Sequence, residues 1–387
     1  MSRPRLGPHD EFFKLRTRML NWLVQDAFPL WARFGVDRST GGFVEALDAD
    51  GNPLALPRRL RIQPRQAFSF AQARQLGWKA DASALITSAL EFAEQHHRRS
   101  DGMYRTLVDA RGDVLDDTPR LYDHAFLLLG FASAAIALDA VTVFETKALE
   151  MLSLLERRWW VGDGFLSADS PIDIREANPH MHLLEAFLAW YEIGSDPCWE
   201  QWVERIAQLA AFRLLGAERF IRETYDAAWQ PAAGVTGRIV EPGHQFEWAW
   251  LLMRCLGRDA ERYRETALKL IQLGERLGTR QGVAINGILD DGRIHNANAR
   301  LWPQTERIKA LLGAYRSTGH EHFLHAATRA GLSLLPYLDT DIAGLWHDEL
   351  LPSGEFTIVP VFTSTFYHLV GVVASIEEIG RDIELSS

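Results

Sequence analysis

Cysteine is scarce in this chain. Its 387 residues hold two, Cys198 and Cys255, too far apart for any zinc-ligand spacing. That usage fits a reducing compartment, and a cytoplasmic protein is the expectation. Long apolar runs are also missing. None reaches roughly 18 residues, so no segment is expected to span a membrane. The N-terminal MSRPRLGPHDEFFKLRTRML lacks the uninterrupted apolar stretch of a signal peptide. Basic residues are outnumbered, 41 against 51 acidic, and form no run. A nucleic-acid partner is therefore not expected. No Gly-rich phosphate loop, dinucleotide fingerprint or Ser-His-Asp order stands out. The runs ADGNP and DGMYRTLVDARGD lack a calcium loop's full spacing and closing Glu. No metal and no cofactor are expected, and a homodimer is left open.

What is present is a large apolar share, 47%, and 13 tryptophans. Length alone suggests two or three domains. Tryptophan fills cores, and it also stacks on the C–H faces of sugars.

Six short segments resemble one another: QPRQAFSFAQA, TPRLYDHAFLLLGFA, NPHMHLLEAFLAWYE, EPGHQFEWAWLLM, WPQTERIKALLGAY and VPVFTSTFYHLVGVVA. Their prolines are Pro64, Pro119, Pro179, Pro242, Pro303 and Pro360, spaced 55, 60, 63, 61 and 57 residues apart. A regular period of this kind marks an internal repeat. Proline is well tolerated at the first helical position, and the residue before it is pushed out of the helical region. Thr118 and Asn178 are good N-caps by type. Each proline thus opens a helix, and each helix is apolar nearly all round, hence buried. Amphipathic helices such as WEQWVERIAQLAAF and DAERYRETALKLIQLGERL lie between them. Connections rich in DG and GD pairs, such as GVAINGILDDGRIHN, suggest β-hairpins or extended loops.

Twelve helices in six hairpins of equal period close most simply into a ring, an all-α (α/α)6 barrel forming one domain over residues 1–387. An open solenoid is the alternative. In the ring, the six buried helices start at one end, where short β-hairpins in the connections also lie. Polar residues near each proline then converge on one pocket: Arg65, Tyr122, Asp123, His124, Asn178, His182, Glu185, His244, Glu247, Gln304, Glu306 and His368. Trp302 and Trp346 are the tryptophans best placed to join them. His244 and Glu247 share a helix face, as do His182 and Glu185. A first-turn position should lower the pKa of His244 and favour a neutral base. His180 and His182 point apart on a helix, which argues against a shared ion. His124 and Tyr122 read equally well as packed core residues, and Glu306 could simply pair with Arg307 or Lys309. Histidines and carboxylates without metal or nucleophile suggest proton transfer.

NPHMHLLEA, EPGHQFEWAWLL, WPQTERIKA and TFYHLVG resemble the N-acylglucosamine 2-epimerase superfamily, which includes mannose isomerases and cellobiose 2-epimerases. The resemblance implies an (α/α)6 barrel. It implies that His244 and His368 are an acid/base pair, with Glu247 one turn after the first. It implies that His182 is a third pocket histidine with Asn178 before it, and that Arg65 faces the sugar oxygens. Trp302, Gln304 and Glu306 match its WxQxE-like segment. TSTFYH lacks the Lys- and Trp-rich lead-in of cellobiose epimerases, which argues against a disaccharide. The expected activity is metal-independent isomerisation of D-mannose to D-fructose through a cis-enediolate, with a small sugar as partner. A 2-epimerase of glucose, mannose or N-acylglucosamine is the alternative. A glycosidase using Glu247 with Glu306 or Asp123 would leave the histidines idle, and a non-catalytic binding toroid would need no acid/base pair.

Overall fold

A computed structural model describes residues 8–169, 174–216 and 219–386. The reading of the N-terminus falls partly on residues 1–7, outside the described residues. Twelve helical rods make up the fold. The outer ones are α1 (Pro8–Asn21, continued through Trp22–Ala27 into Phe28–Phe34), α3 (Ser83–Phe92 with a π-helical turn, Ala93–His97), α5 (Val141–Trp159), α7 (Cys198–Gln208 with a second such turn, Leu209–Leu214), α9 (Ala260–Leu277) and α11 (Glu321–Leu334, ending in Leu335–Leu338). The inner ones are α2 (Ile62–Ala73), α4 (Leu121–Ala137), α6 (Ala177–Ile193), α8 (Pro242–Leu252), α10 (Leu301–Thr318) and α12 (Phe366–Ser386).

Each inner helix packs on the next, and α12 packs back on α2, so the ring is closed. An outer helix backs each inner one, with α1 covering α12. Apolar patterning explains the layers. In α4, LYDHAFLLLGFASAAIA, residues are buried on every face between two inner neighbours and α5. Each such leucine or phenylalanine is worth about 1.5–3 kcal/mol when fully buried. In α9 apolar residues form one stripe, with Tyr263, Ala267, Leu270 and Ile271 turned inward.

The strands are short, and most pair with the neighbouring connection. Arg58–Arg59, leading into α2, pairs with Leu107–Val108. Arg175–Glu176 pairs with Thr224–Tyr225, Ile239–Val240 with Gly287–Leu289, and Ala299–Arg300 with Glu349–Leu350. A single bridge, Arg120 to Ala168, fills the second position. Ala46–Leu47 and Val361–Phe362 join the first connection to the last. The rim above the helix N-termini is therefore laced into its own cycle.

The prolines lie otherwise than expected. Only Pro242 is a first helical residue. Pro64, Pro179 and Pro303 are third residues, while Pro119 and Pro360 precede their helices. The first four N–H groups of a helix have no intrahelical acceptor, so proline fits anywhere in that turn. Thr118 and Asn178 are not caps: Arg120 and Glu176 hold those positions without a side-chain cap bond.

Candidate active site

The starts of all six inner helices meet at a cleft of about 280 Å³. Eight expected residues line it: Arg65, Tyr122, Asn178, His182, His244, Glu247, Trp302 and His368. Arg59, Arg61, Glu241, Arg300, Asp348, Ser364 and Thr365 join them from the connections. An arginine shortly before the helix start recurs in the repeats, in PRRLRIQP, DTPRLYD, DIREANP and NARLWP, and was the available signal for Arg59, Arg61 and Arg300.

Trp302 stands between two histidines. Its ring centroid is 5.0 Å from that of His244 and 5.5 Å from that of His368. Gly243 makes room for it: a Cβ there would come within 2.5 Å of the indole. That accounts for the glycine in EPGH. Both imidazoles use Nδ1 for a carboxylate, His244 for half-buried Glu223 at 2.7 Å and His368 for buried Glu306 at 2.8 Å. Nε2 of each is left for the cleft.

The two pairs differ in charge. Burial pushes His244 down, but Glu223 and then Glu241 outweigh it and lift the imidazole to about 10. This reverses the sequence expectation, because full carboxylates nearby exceed the partial charge of a helix end. At His368 burial prevails over Glu306, with Arg65 and Lys309 adding to it, and the imidazole falls to about 4. Lys309 Nζ sits 2.7 Å from Glu306, which lies beneath His368 and does not line the cleft.

His182 donates to Glu185 at 3.2 Å, and burial lowers it to about 4. The Glu185 carboxylate also accepts from the Tyr367 hydroxyl. Burial, then the charge of Glu306, hold the Glu247 carboxyl well above the usual carboxylate range. Its Oε1 has no hydrogen-bond partner among the described residues. Arg65 is held by neutral groups, the Ser364 carbonyl at 3.1 Å, the Tyr122 hydroxyl at 2.7 Å and the Phe126 face at 4.0 Å.

Three imidazole–carboxylate groups have donor atoms within 4.8 Å of one another: His182, Glu185 and Glu247; Glu223, Glu241 and His244; and Glu247, Glu306 and His368. Apart from Glu247, their carboxylates already accept protons from side chains or backbone. These groups close on themselves through hydrogen bonds.

Of the other six expected residues, Glu185 and Glu306 lie behind the imidazoles, and Gln304, Trp346, His124 and Asp123 are elsewhere. The Gln304 amide is consumed by backbone: Oε1 accepts from Ala284 N–H at 2.7 Å, and Nε2 donates to the Ala284 and Arg300 carbonyls. Trp346 stacks on Trp31, 5.0 Å away, and on Phe366 in the core. His124 and His180 are also structural: each donates from Nδ1 to a carbonyl four residues back and accepts a backbone N–H from the preceding connection. Asp123 pairs with Arg61 at 2.8 Å.

A closed helical ring with two carboxylate-backed imidazoles over a small polar cleft fits an enzyme of the sugar isomerase and epimerase class. The family's sequence model matches residues 41–372, and the chain belongs to the N-acylglucosamine 2-epimerase (GlcNAc 2-epimerase) family. It is 37% identical over 371 residues to a mannose-6-phosphate isomerase of Rhizobium meliloti (strain 1021), covering 93% of this chain and 96% of that one. It is 29% identical over 282 residues to a D-mannose isomerase of Thermobifida fusca, covering 65% and 67%. In fold it matches a D-mannose isomerase crystal structure, with TM-score 0.85, 22% identity and coverage of 93% and 97%. It matches the cellobiose 2-epimerase of Bacillus thermoamylovorans B4167 equally well, with TM-score 0.85, 18% identity and coverage of 94% and 99%. No helix is long and apolar enough to cross a membrane among the described residues.

Proposed function

We propose that the chain is a metal-independent aldose–ketose isomerase that interconverts D-mannose and D-fructose. The supporting observation is the placement of the two imidazoles: they flank Trp302, each leaves Nε2 for the cleft, and their Nδ1 carboxylates are backed differently, Glu306 by Lys309 and Glu223 by a backbone N–H. His368, neutral, takes the C2 proton of the open-chain aldose. The C–H electrons form the C1–C2 double bond of a cis-enediol as His244, charged, protonates O1, where the charge of an enediolate would otherwise develop. His368 then delivers its proton to C1 while His244 recovers one from O2, leaving the ketose. Arg65 and the protonated Glu247 donate to the oxygens where charge develops. A 2-epimerase needs two groups that alternate as base on opposite faces of C2, for which two imidazoles differing so far in basicity are poorly matched. The cleft lies at the small end of the range for ligand pockets, roughly 300–1,000 Å³, and suits a monosaccharide.

The name of the Rhizobium meliloti relative raises a phosphorylated substrate. Arginines at the mouth speak for it. However, Arg59 faces Glu45, Arg61 faces Asp123 and Arg300 faces Glu241. Asp348 adds a further carboxyl to the lining. The mouth has little surplus positive charge for a dianion, so the free hexose is the favoured substrate.

The test is incubation with D-mannose, mannose 6-phosphate, D-glucose and N-acetylglucosamine, each with and without EDTA, and separation of the products. Fructose from mannose, undiminished by EDTA, is the expected result. Glucose as the first product of mannose, or turnover of the phosphate alone, would refute it.

A further inference from the structure

The carboxylates behind the two imidazoles are backed differently. Glu306 projects from α10, and one turn on the same helix brings Lys309 to its other oxygen. Lys309 is buried, with its ammonium 3.6 Å from the Trp250 ring centroid. Glu223 comes from a connection, and its second oxygen accepts the Glu241 backbone N–H at 3.0 Å. One imidazole thus faces a carboxylate whose charge is matched from behind, and the other faces a carboxylate with a neutral donor.

We infer that Lys309 is a positioning residue that divides the labour between the histidines: by holding Glu306 from behind, it leaves His368 the proton acceptor and His244 the donor. The inference rests on the isomerase reading, because it assigns a direction to that proton traffic. A buried ammonium and a carboxylate attract strongly where water is excluded. The pair presents His368 with little net charge, so nothing offsets the penalty of charging a buried ring. Arg65 on α2 opposes a cation there as well. Glu185 and His182 on α6, Glu247 on α8 and the adjacent Tyr367 complete the surroundings. Of these, Glu185 is occupied by His182 and Tyr367, and Glu247 is held well above the usual carboxylate range by burial and by Glu306. Without Lys309, Glu306 would act on His368 as Glu223 acts on His244.

The test uses Lys309→Gln, whose amide keeps a bond to Glu306 without the charge. NMR titration of the His368 ring, assigned by loss of its signal in His368→Asn, is followed in the substrate-free protein. The titration is expected to rise by about one pH unit or more. The acid limb of kcat/KM should rise with it, so activity near that limb falls about tenfold and recovers toward alkaline pH. Lys309→Arg should hold the limb in place, and Glu306→Gln with Lys309→Met should bring it back down. An unmoved His368 titration in folded Lys309→Gln overturns the inference. So does an activity loss equal at all pH values and unrelieved in the double variant. If Lys309→Gln fails to fold, the double variant decides alone: His368 titrating in the neutral range there also overturns the inference. The NMR reading needs no substrate, so a shift without mannose turnover would instead count against the isomerase reading.

Discussion

His244 illustrates how far a single partner can move a residue. Its place in the first turn of α8 and its burial both oppose a positive charge, yet Glu223, with Glu241 adding to it, carries it to about 10. With folded-state pKa raised, the charged form persists at neutral pH and is lost only as pH climbs through the folded value. An acid role for His244 therefore predicts an alkaline limb far above neutrality. In Glu223→Gln the larger raising carboxylate is gone and only Glu241 and Glu247 still oppose burial, so the limb should fall by about one pH unit or more. The pH dependence of kcat checks this, and an unmoved limb would remove His244 from the acid role. Glu223 was not legible in the sequence. It lies 21 residues before His244 in the connection that leads into α8, whereas the visible i, i+3 pattern pointed to Glu247. Lys309 escaped for a related reason: its spacing to Glu306 was plain, but not that the pair lies under His368.

At the scale of the element, the recurring device is a clamp. Gln63, His124, His180, Gln245 and Gln304 each take a backbone N–H from the preceding connection, at Phe43, Tyr104, Phe165, Ile221 and Ala284. The glutamines return a second bond to the same residue's carbonyl. An N–H and a carbonyl buried beneath the rim are satisfied this way. Gln304→Ala would leave both without partners and is expected to destabilise the fold by about 1–3 kcal/mol with KM for the sugar unchanged. Chemical denaturation and initial rates test the two halves separately, and a raised KM at unchanged stability would return Gln304 to the pocket. The proline period marked these helices, while their starts shift by a few residues because the whole first turn tolerates proline. A polar residue in that turn faces either cleft or loop, and residue type does not say which. Hence Trp302 lines the cleft while Gln304 turns to the loop.

In the whole molecule, ring closure was legible because six similar periods admit few arrangements, and α12 does pack on α2. The lacing of the rim was not, since strands of two or three residues leave little alternating pattern. We propose that the chain folds as one unit despite its length: the first and last connections pair, and α1 packs on α12. Thermal unfolding followed by far-ultraviolet circular dichroism and by tryptophan fluorescence should give one coincident transition. Two separated transitions would divide the chain. The paired rim has a further consequence. It works like a hoop around staves, setting the spacing of the imidazoles at that end. Apolar residues of the connections, such as Val114 and Leu115 on a hairpin strand, or Ile358 and Val359, stand exposed outside the hoop. Changes confined to those residues are expected to leave the gauge of the machinery below unaltered.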